Sequence, residues 1–310
     1  MSDRVRKILK TVLALVFLVS TVFLFINGQE KQSANESYHQ AQEIAGLTED
    51  AVVPAPTEAL EPAVTEPAAE ILPEETLPQT MWVPVQVEPD EYMIKLEGTN
   101  LDALREVNPD VVGWIFLPAS QVNYPIVQGE DNRYYLEHTW DNQKNYAGSI
   151  FLEATNSGDL SDCRSILYGH NMANMSMFAV LHYYANAWYT QTYPYVYLVT
   201  DEGILRYEIY STYNASVDSK TYALNLDQRM MASFIRMTLE ASELDLGIVP
   251  ADTDRILTLS TCTGNYETRR VVHARLAMEE VEIKNDSPQE KTCSESQMKH
   301  YGTQMPGVKG

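Results

Sequence analysis

The chain has 310 residues, enough for one or two domains. Its 43 acidic side chains against 22 lysines and arginines give a net charge of -21, which excludes nucleic-acid binding by phosphate neutralisation. A hydrophobic content of 45% excludes wholesale disorder and a multi-span membrane protein, and three cysteines exclude a disulfide-rich scaffold.

At the N-terminus, Arg4, Arg6, Lys7 and Lys10 precede an apolar run from Thr11 to Ile26, and Asn27-Gly28-Gln29-Glu30 ends it. With Ile8 and Leu9 the run approaches the roughly 20 residues that cross a bilayer. The positive flank predicts residues 1–10 as a cytoplasmic tip and 11–28 as a single transmembrane signal anchor, with the rest outside the cytoplasm. A cleaved secretory signal has a shorter apolar core of about 7–15 residues and a small-residue cleavage site, neither of which is present.

Residues 29–90 are predicted as a disordered, acidic, Pro-rich stalk. Between 30 and 90 there are 13 acids, one base (Lys31) and eight of the 15 prolines. Proline lacks the backbone donor and like charges repel, so an extended chain is expected. A random coil of about 60 residues reaches roughly 40–45 Å. Residues 285–310 are predicted as a polar tail.

The stretch 91–284 is predicted as the folded domain, long enough for one core. A short helix is expected over 101–107, stopped by Asn108-Pro109. Strands are expected over 111–117, 121–128, 147–153, 163–169, 194–200, 203–213, 255–262 and 269–281. Asp201-Glu202-Gly203 suits a hairpin turn. A longer helix fits 226–242, with apolar positions at Met230, Met231, Phe234, Ile235, Met237 and Leu239. Many short strands and few helices predict a mainly β fold, a closed or nearly closed barrel.

Cys262 ends an apolar strand whose side chains alternate between faces. Leu257, Leu259 and Thr261 share one face, and Ile256, Thr258, Ser260 and Cys262 share the more polar other, which suits a groove. On the next strand Val272, Ala274, Leu276 and Met278 form the apolar face, with Arg270 at its rim. Arg269 lies opposite, with Val271, His273 and Arg275. Cys262 and Arg269 on adjacent strands would be neighbours, and a guanidinium there stabilises a thiolate and an oxyanion. His170 lies just past a strand end, a position suited to proton transfer. His273 is a lesser competitor, and His138 and His182 offer less. Pairing of Cys163 with Cys262 stays open outside the cytoplasm. No two His or Cys residues have a standard metal-ligand spacing, so no metal and no cofactor are expected.

Tyr168-Gly-His-Asn-Met172 and Thr258-Leu-Ser-Thr-Cys262, followed by Arg-x-Val-Val-x-Ala from Arg269, resemble sortases, the membrane-anchored cysteine transpeptidases of Gram-positive bacteria. Asn108-Pro-Asp-Val-Val-Gly-Trp-Ile115, Asn123-Tyr-Pro-Ile-Val-Gln128, Asp131-Asn-Arg-Tyr-Tyr-Leu136 and the 226–242 helix resemble class B in particular. The resemblance covers about 92–283. It implies a closed eight-stranded sortase-type β-barrel with flanking helices. It implies Cys262 as nucleophile, His170 as general acid/base and Arg269 as oxyanion and thiolate stabiliser, with Thr261 and Ser260 as groove-lining substrate contacts. Arg270 stands at a position usually hydrophobic in the family.

The function implied is cleavage of a C-terminal sorting motif after threonine through a thioacyl-enzyme. The motif is Asn-Pro-x-Thr-Asn-like or Ser/Asn-Pro-x-Thr-Gly-like, and the acyl group passes to a cell-wall amine. The implied partners are secreted proteins bearing a sorting signal, a peptidoglycan precursor amine and the cell membrane, with no nucleic acid. A secreted cysteine peptidase, a pilin-polymerising sortase and a non-catalytic tethered binding module are the alternatives.

Overall fold

The structure, a computed structural model, describes residues 3–47, 82–83, 89–224, 226–277 and 279–280. Helix α1 spans Asp3–Ile44. Strand β1 (Trp82–Val83) pairs with β10 (Glu279–Glu280). Two short helices follow, α2 (Glu91–Leu96) and α3 (Leu101–Val107). The barrel strands are β2 (Val111–Phe116), β3 (Asn123–Val127), β4 (Ile150–Leu152), β5 (Arg164–Tyr168), β6 (Tyr195–Thr200), β7 (Gly203–Ser216), β8 (Ile256–Cys262) and β9 (Thr268–Leu276). Helix α4 spans Ala187–Thr192 and α5 spans Gln228–Ala241.

The eight strands close in the order β2-β3-β4-β5-β8-β9-β7-β6. The β3–β4 and β5–β8 pairs are parallel and the other ladders antiparallel. All eight expected strands are present. The parallel β5–β8 pair matters most for the site, because it sets the end of β5 beside the end of β8. Leu257, Leu259, Val272, Ala274 and Leu276 join the main core inside the barrel. Ile256 belongs to a second cluster outside it, roofed by Met231, Phe234 and Ile235 of α5. Capping fixes both expected helices: the Asn100 side chain accepts from the Ala103 N–H at 3.0 Å, and Asp227 accepts from the Met230 N–H at 2.8 Å. Met230 itself is exposed, and Thr238 takes a buried place on α5 instead, hydrogen-bonded to Tyr210 at 3.1 Å.

The expected stalk is corrected over residues 29–47. The helix does not stop at Asn27-Gly28. It continues to Ile44 and packs on the barrel. Ala34, Tyr38, Ala41 and Ala45 recur at spacings of four, three and four, a helical stripe, and all are buried. The Tyr38 hydroxyl donates to the Gly148 carbonyl at 2.6 Å, and the Trp140 indole N–H donates to the Ser37 carbonyl at 2.9 Å. These contacts outweigh the roughly 1 kcal/mol that a mid-helix glycine costs. The end is a glycine cap. Gly46 has φ +76, its N–H bonds the Glu43 carbonyl, and the Leu47 N–H bonds the Gln42 carbonyl. Segments 48–81 and 84–88 of the expected stalk, and the tail 285–310, lie outside the described residues.

The described apolar side chains of the N-terminal half of α1, among them Leu13, Phe17, Val19 and Phe25, are exposed. Among the described residues no helix is long and apolar enough to cross a membrane.

The docked helix makes residues 30–47 part of the domain. Tyr38 and Leu47 each remove a large apolar side chain from water, worth about 1.5–3 kcal/mol apiece. A chain begun at residue 90 is therefore expected to melt about 6–24 °C below one begun at residue 29, at 2–4 °C per kcal/mol for a domain of this size. Equal melting temperatures by calorimetry would show that the docked helix contributes nothing.

Candidate active site

Cys262 closes β8, and its cross-strand partner on β9 is Arg269. Both side chains line one open cavity of about 390 Å³, together with His170, Tyr168, Tyr222 and Leu136. Cys262 is a free thiol, so it is not paired with Cys163.

His170 follows β5 directly. Gly169 before it donates its N–H to the Ser260 carbonyl at 3.2 Å, and the His170 carbonyl accepts from the Phe178 N–H at 2.9 Å. A Cβ at residue 169 would meet the Phe178 ring at 2.8 Å, so only glycine lets the strand end lie this close. The imidazole Nε2 donates to the Leu136 carbonyl at 2.8 Å. That leaves Nδ1 as the ring nitrogen for the thiol.

The electrostatics couple the pair. A hydrogen bond with Cys262 raises the His170 pKa. Burial opposes this, and the Leu136 carbonyl and the charges of Cys262 and Glu137 add to it. The same bond lowers the Cys262 pKa. Burial pushes the thiol up, but the Arg269 and His170 charges add to the lowering and the net shift is downward. A thiolate beside an imidazolium is therefore favoured, and such a thiolate is a strong nucleophile. The Arg269 guanidinium donates through one Nη to the Tyr266 carbonyl at 3.1 Å and the Thr268 carbonyl at 2.9 Å.

Arg270 faces the other way. It is almost fully buried, ion-paired to Glu243 at 2.7 Å, and donates to the Thr212 hydroxyl at 2.8 Å. It joins β9 to β7 and to the segment after α5. These partners supply the physical reason for a charge at this position.

Ser260 and Thr261 both border the cavity, but their hydroxyls have internal partners. Ser260 bonds the Tyr222 hydroxyl at 3.0 Å, and Thr261 donates to the Gly169 carbonyl at 2.7 Å. Thr261 thus ties β8 to the peptide before His170. His273 is apart from the site. It is fully buried beneath α5, bonded to Thr258 and Tyr213, and burial holds its pKa well below the ordinary value.

Sequence reasoning passed over two groups here. His182, on a 3-10 helix over Phe178–Ala185, places Nε2 at 3.0 Å from the Cys262 carbonyl, and Asn171 donates to the same carbonyl at 3.1 Å. Two donors therefore hold the Cys262 peptide. No periodicity marks His182, and only the β5–β8 pairing brings its helix there. Glu153 is buried behind the cavity and accepts from Asn132 at 2.7 Å and from the Tyr168 hydroxyl at 2.9 Å, fixing two lining side chains.

The sortase domain family matches residues 115–277. Sortase B of Listeria monocytogenes is 33% identical over 191 residues, covering 59% of this chain and 77% of that protein. Sortase B of Staphylococcus aureus is 28% identical over 174 residues, covering 55% of this chain and 71% of that protein. Among solved structures, sortase B of Clostridium perfringens matches with a TM-score of 0.55 at 30% identity, covering 57% of this chain and 100% of that one. A Staphylococcus aureus sortase B–substrate complex matches with a TM-score of 0.55 at 27% identity, covering 57% and 84%. Fold and family define a cysteine transpeptidase. The chain belongs to the sortase family, in its class B.

Alkylation of Cys262 against pH reads its thiolate fraction. Because the thiol pKa is lowered, reactivity is expected to rise at a lower pH than for free cysteine. His170→Ala removes the leading cause and moves the midpoint up most, and Arg269→Ala moves it up less. An unmoved midpoint in His170→Ala would sink the coupling. Arg270→Ala is expected to leave the midpoint in place and lower the melting temperature. Its cost falls below the roughly 3–5 kcal/mol of a fully buried pair, because Glu243 is 40% exposed and can be rehydrated.

Proposed function

We propose that Cys262 is the nucleophile, His170 the general acid/base and Arg269 the oxyanion stabiliser of a sorting reaction. The observation that carries this is the meeting of three side chains from two strand ends and one ladder in a single cavity. The Cys262 sulfur attacks a peptide carbonyl, and the carbonyl electron pair moves onto oxygen beside the Arg269 guanidinium. When the tetrahedral adduct collapses, the C–N bond breaks and the leaving nitrogen takes the proton from His170. A thioester remains on Cys262. An incoming amine gives its proton to His170, attacks the thioester carbon and expels the thiolate.

The substrate in this reading is a secreted protein with a C-terminal sorting signal, of the Asn-Pro-x-Thr-Asn-like or Ser/Asn-Pro-x-Thr-Gly-like kind. Leu136, Phe151, Val217 and Tyr222 give the cavity an apolar and aromatic wall, suited to an extended peptide containing proline. The likeness to a sortase B–substrate complex supports a peptide in this groove. The acceptor is a cell-wall precursor amine. Residues 11–28 anchor the chain in the cell membrane with the N-terminus cytoplasmic, a reading supported by the exposed apolar side chains of α1 and the flanking Arg4, Arg6, Lys7 and Lys10.

The test is incubation of the chain from residue 29 with a panel of sorting-motif peptides and a glycine or diaminopimelate amine, read by mass. Cleavage after threonine with the amine joined to it is expected, and Cys262→Ala should abolish it. Arg269→Ala should lower kcat about 10²–10³-fold, as loss of one oxyanion donor does. Release of the free acid alone, at saturating amine, would favour a hydrolase over a transpeptidase.

A further inference from the structure

Helix α1 runs without a break from its apolar half into its docked half, so the barrel contacts follow one another along a single axis. In order from the N-terminal side, the Asn145 amide donates to the Glu30 carbonyl at 2.8 Å, Trp140 and Asp141 hold Ser37, and Gly148 accepts from Tyr38. Beyond these, the Asn123 carbonyl accepts from Gln42 at 3.1 Å and the Asn100 N–H bonds the Ala45 carbonyl at 3.0 Å. The segment from His138 to Tyr146 is therefore the part of the barrel nearest the apolar half. It is a compact turn, closed by a bridge between His138 and Lys144 and by the Thr139 N–H on the Gln143 carbonyl at 2.9 Å.

Helix rise sets the scale. Phe25, with its side chain exposed, is five residues before Glu30, which is about 7–8 Å along the axis at 1.5 Å per residue. The polar layer on each side of a bilayer is about 5–8 Å thick, taking a core of about 30 Å in a total of 40–45 Å. Glu30 and Asn145 then lie at headgroup level. The neighbouring exposed side chains are Lys144, 4.0 Å from the exposed Glu137, and Tyr146, with Tyr134 stacked on His138 at 4.0 Å close by; lysine and tyrosine are types found at membrane–water interfaces.

We propose that the 138–146 turn is a bilayer-facing surface, held against lipid headgroups by α1 acting as a rigid arm. This rests on the reading of residues 11–28 as a membrane anchor. The partner is the phospholipid headgroup layer. The contact is confined to this one edge because α1 fixes which part of the barrel lies beside its apolar half. The catalytic groove shares that edge. Leu136, whose carbonyl holds His170 and whose side chain lines the cavity, is two residues before the turn. The groove thus opens close to the lipid surface, where an amine carried on a lipid is met directly.

The experiment uses the full chain in phosphatidylcholine vesicles carrying a headgroup spin label, in the Cys262→Ala background. A fluorophore is placed on Lys144→Cys or, beside the C-terminal end of α1, on the exposed Glu97→Cys, three residues before the Asn100 that bonds Ala45 and about 22 Å along the helix from Glu30. Several-fold stronger quenching at 144 than at 97 is expected. A short Gly-Ser spacer inserted after Gly28 should erase the difference. Failure of the chain to float with the vesicles would overturn the anchor reading itself. Flotation with equal quenching at the two positions would overturn the bilayer-facing surface and leave the anchor standing. Quenching at 144 that survives the spacer would overturn the rigid arm.

Discussion

The register of β8 on β9 is the constraint on which the site depends. Leu257 pairs with Ala274 and Leu259 with Val272, all four inside the barrel. A slip of one residue would turn both leucines outward and place Thr258 and Ser260 in the core. Losing two buried leucines costs about 1.5–3 kcal/mol each, so the slip is closed by packing alone. The same register sets Cys262 opposite Arg269 and Thr261 opposite Arg270. Core packing thus chooses which arginine meets the thiol, with no separate device at the site. The parallel pairing of Tyr168 with Ser260 then brings His170, two residues beyond Tyr168, to the same barrel end.

Polar groups buried under α5 support the groove from behind. Arg164, on β5, has no carboxylate partner among the described residues. Its guanidinium donates to the carbonyls of Thr221 and Ala223 and lies over the Phe234 ring at 4.2 Å, and burial pulls its pKa down to about 10. These bonds fix the short turn over Lys220–Tyr222, and Tyr222 is the residue that reaches the cavity. Thr258, His273, Tyr213 and Thr221 form a hydrogen-bonded chain beside it. Burial first, and the nearby Arg164 charge second, hold the His273 pKa well below its ordinary value, so it stays neutral there. The groove wall is therefore carried on the barrel, with a loop only at its surface.

The barrel and the Cys262–Arg269 relation were legible in the sequence because strand periodicity is a local signal. Leu257 and Leu259 alternate with Thr258 and Ser260, and that alone assigns faces. His182 and Glu153 were not legible. Each acts through a partner distant in sequence, the Cys262 carbonyl and the Tyr168 hydroxyl, and neither has a periodic neighbour to mark it. The docked half of α1 was hidden for a different reason. Its buried stripe is mostly alanine, with one tyrosine, inside a polar stretch that composition alone assigns to the acidic segment. The Ala34, Tyr38, Ala41, Ala45 spacing and the Gly46 cap were present to be read, but they carry weight only once the barrel supplies Trp140 and Gly148 as partners.

One loop serves both the arm and the catalytic histidine. The chain from Tyr134 to Ser149 holds α1 through Asn145, Trp140 and Gly148, and holds His170 through the Leu136 carbonyl. Its two ends are pressed together at Gly148, where φ is +58 and a Cβ would come within 2.6 Å of the Tyr135 carbonyl and 2.7 Å of the Leu136 carbonyl. The Ser149 N–H closes the loop on the Tyr135 carbonyl at 2.9 Å. A side chain at 148 would therefore move the Leu136 carbonyl, the group that orients His170, and would also displace the acceptor of the Tyr38 hydroxyl. Seating of the helix and orientation of the imidazole are thus set by the same few backbone atoms. A coil-like stalk would have left the imidazole indifferent to how the N-terminal segment sits. The docked helix makes the two mechanically one unit.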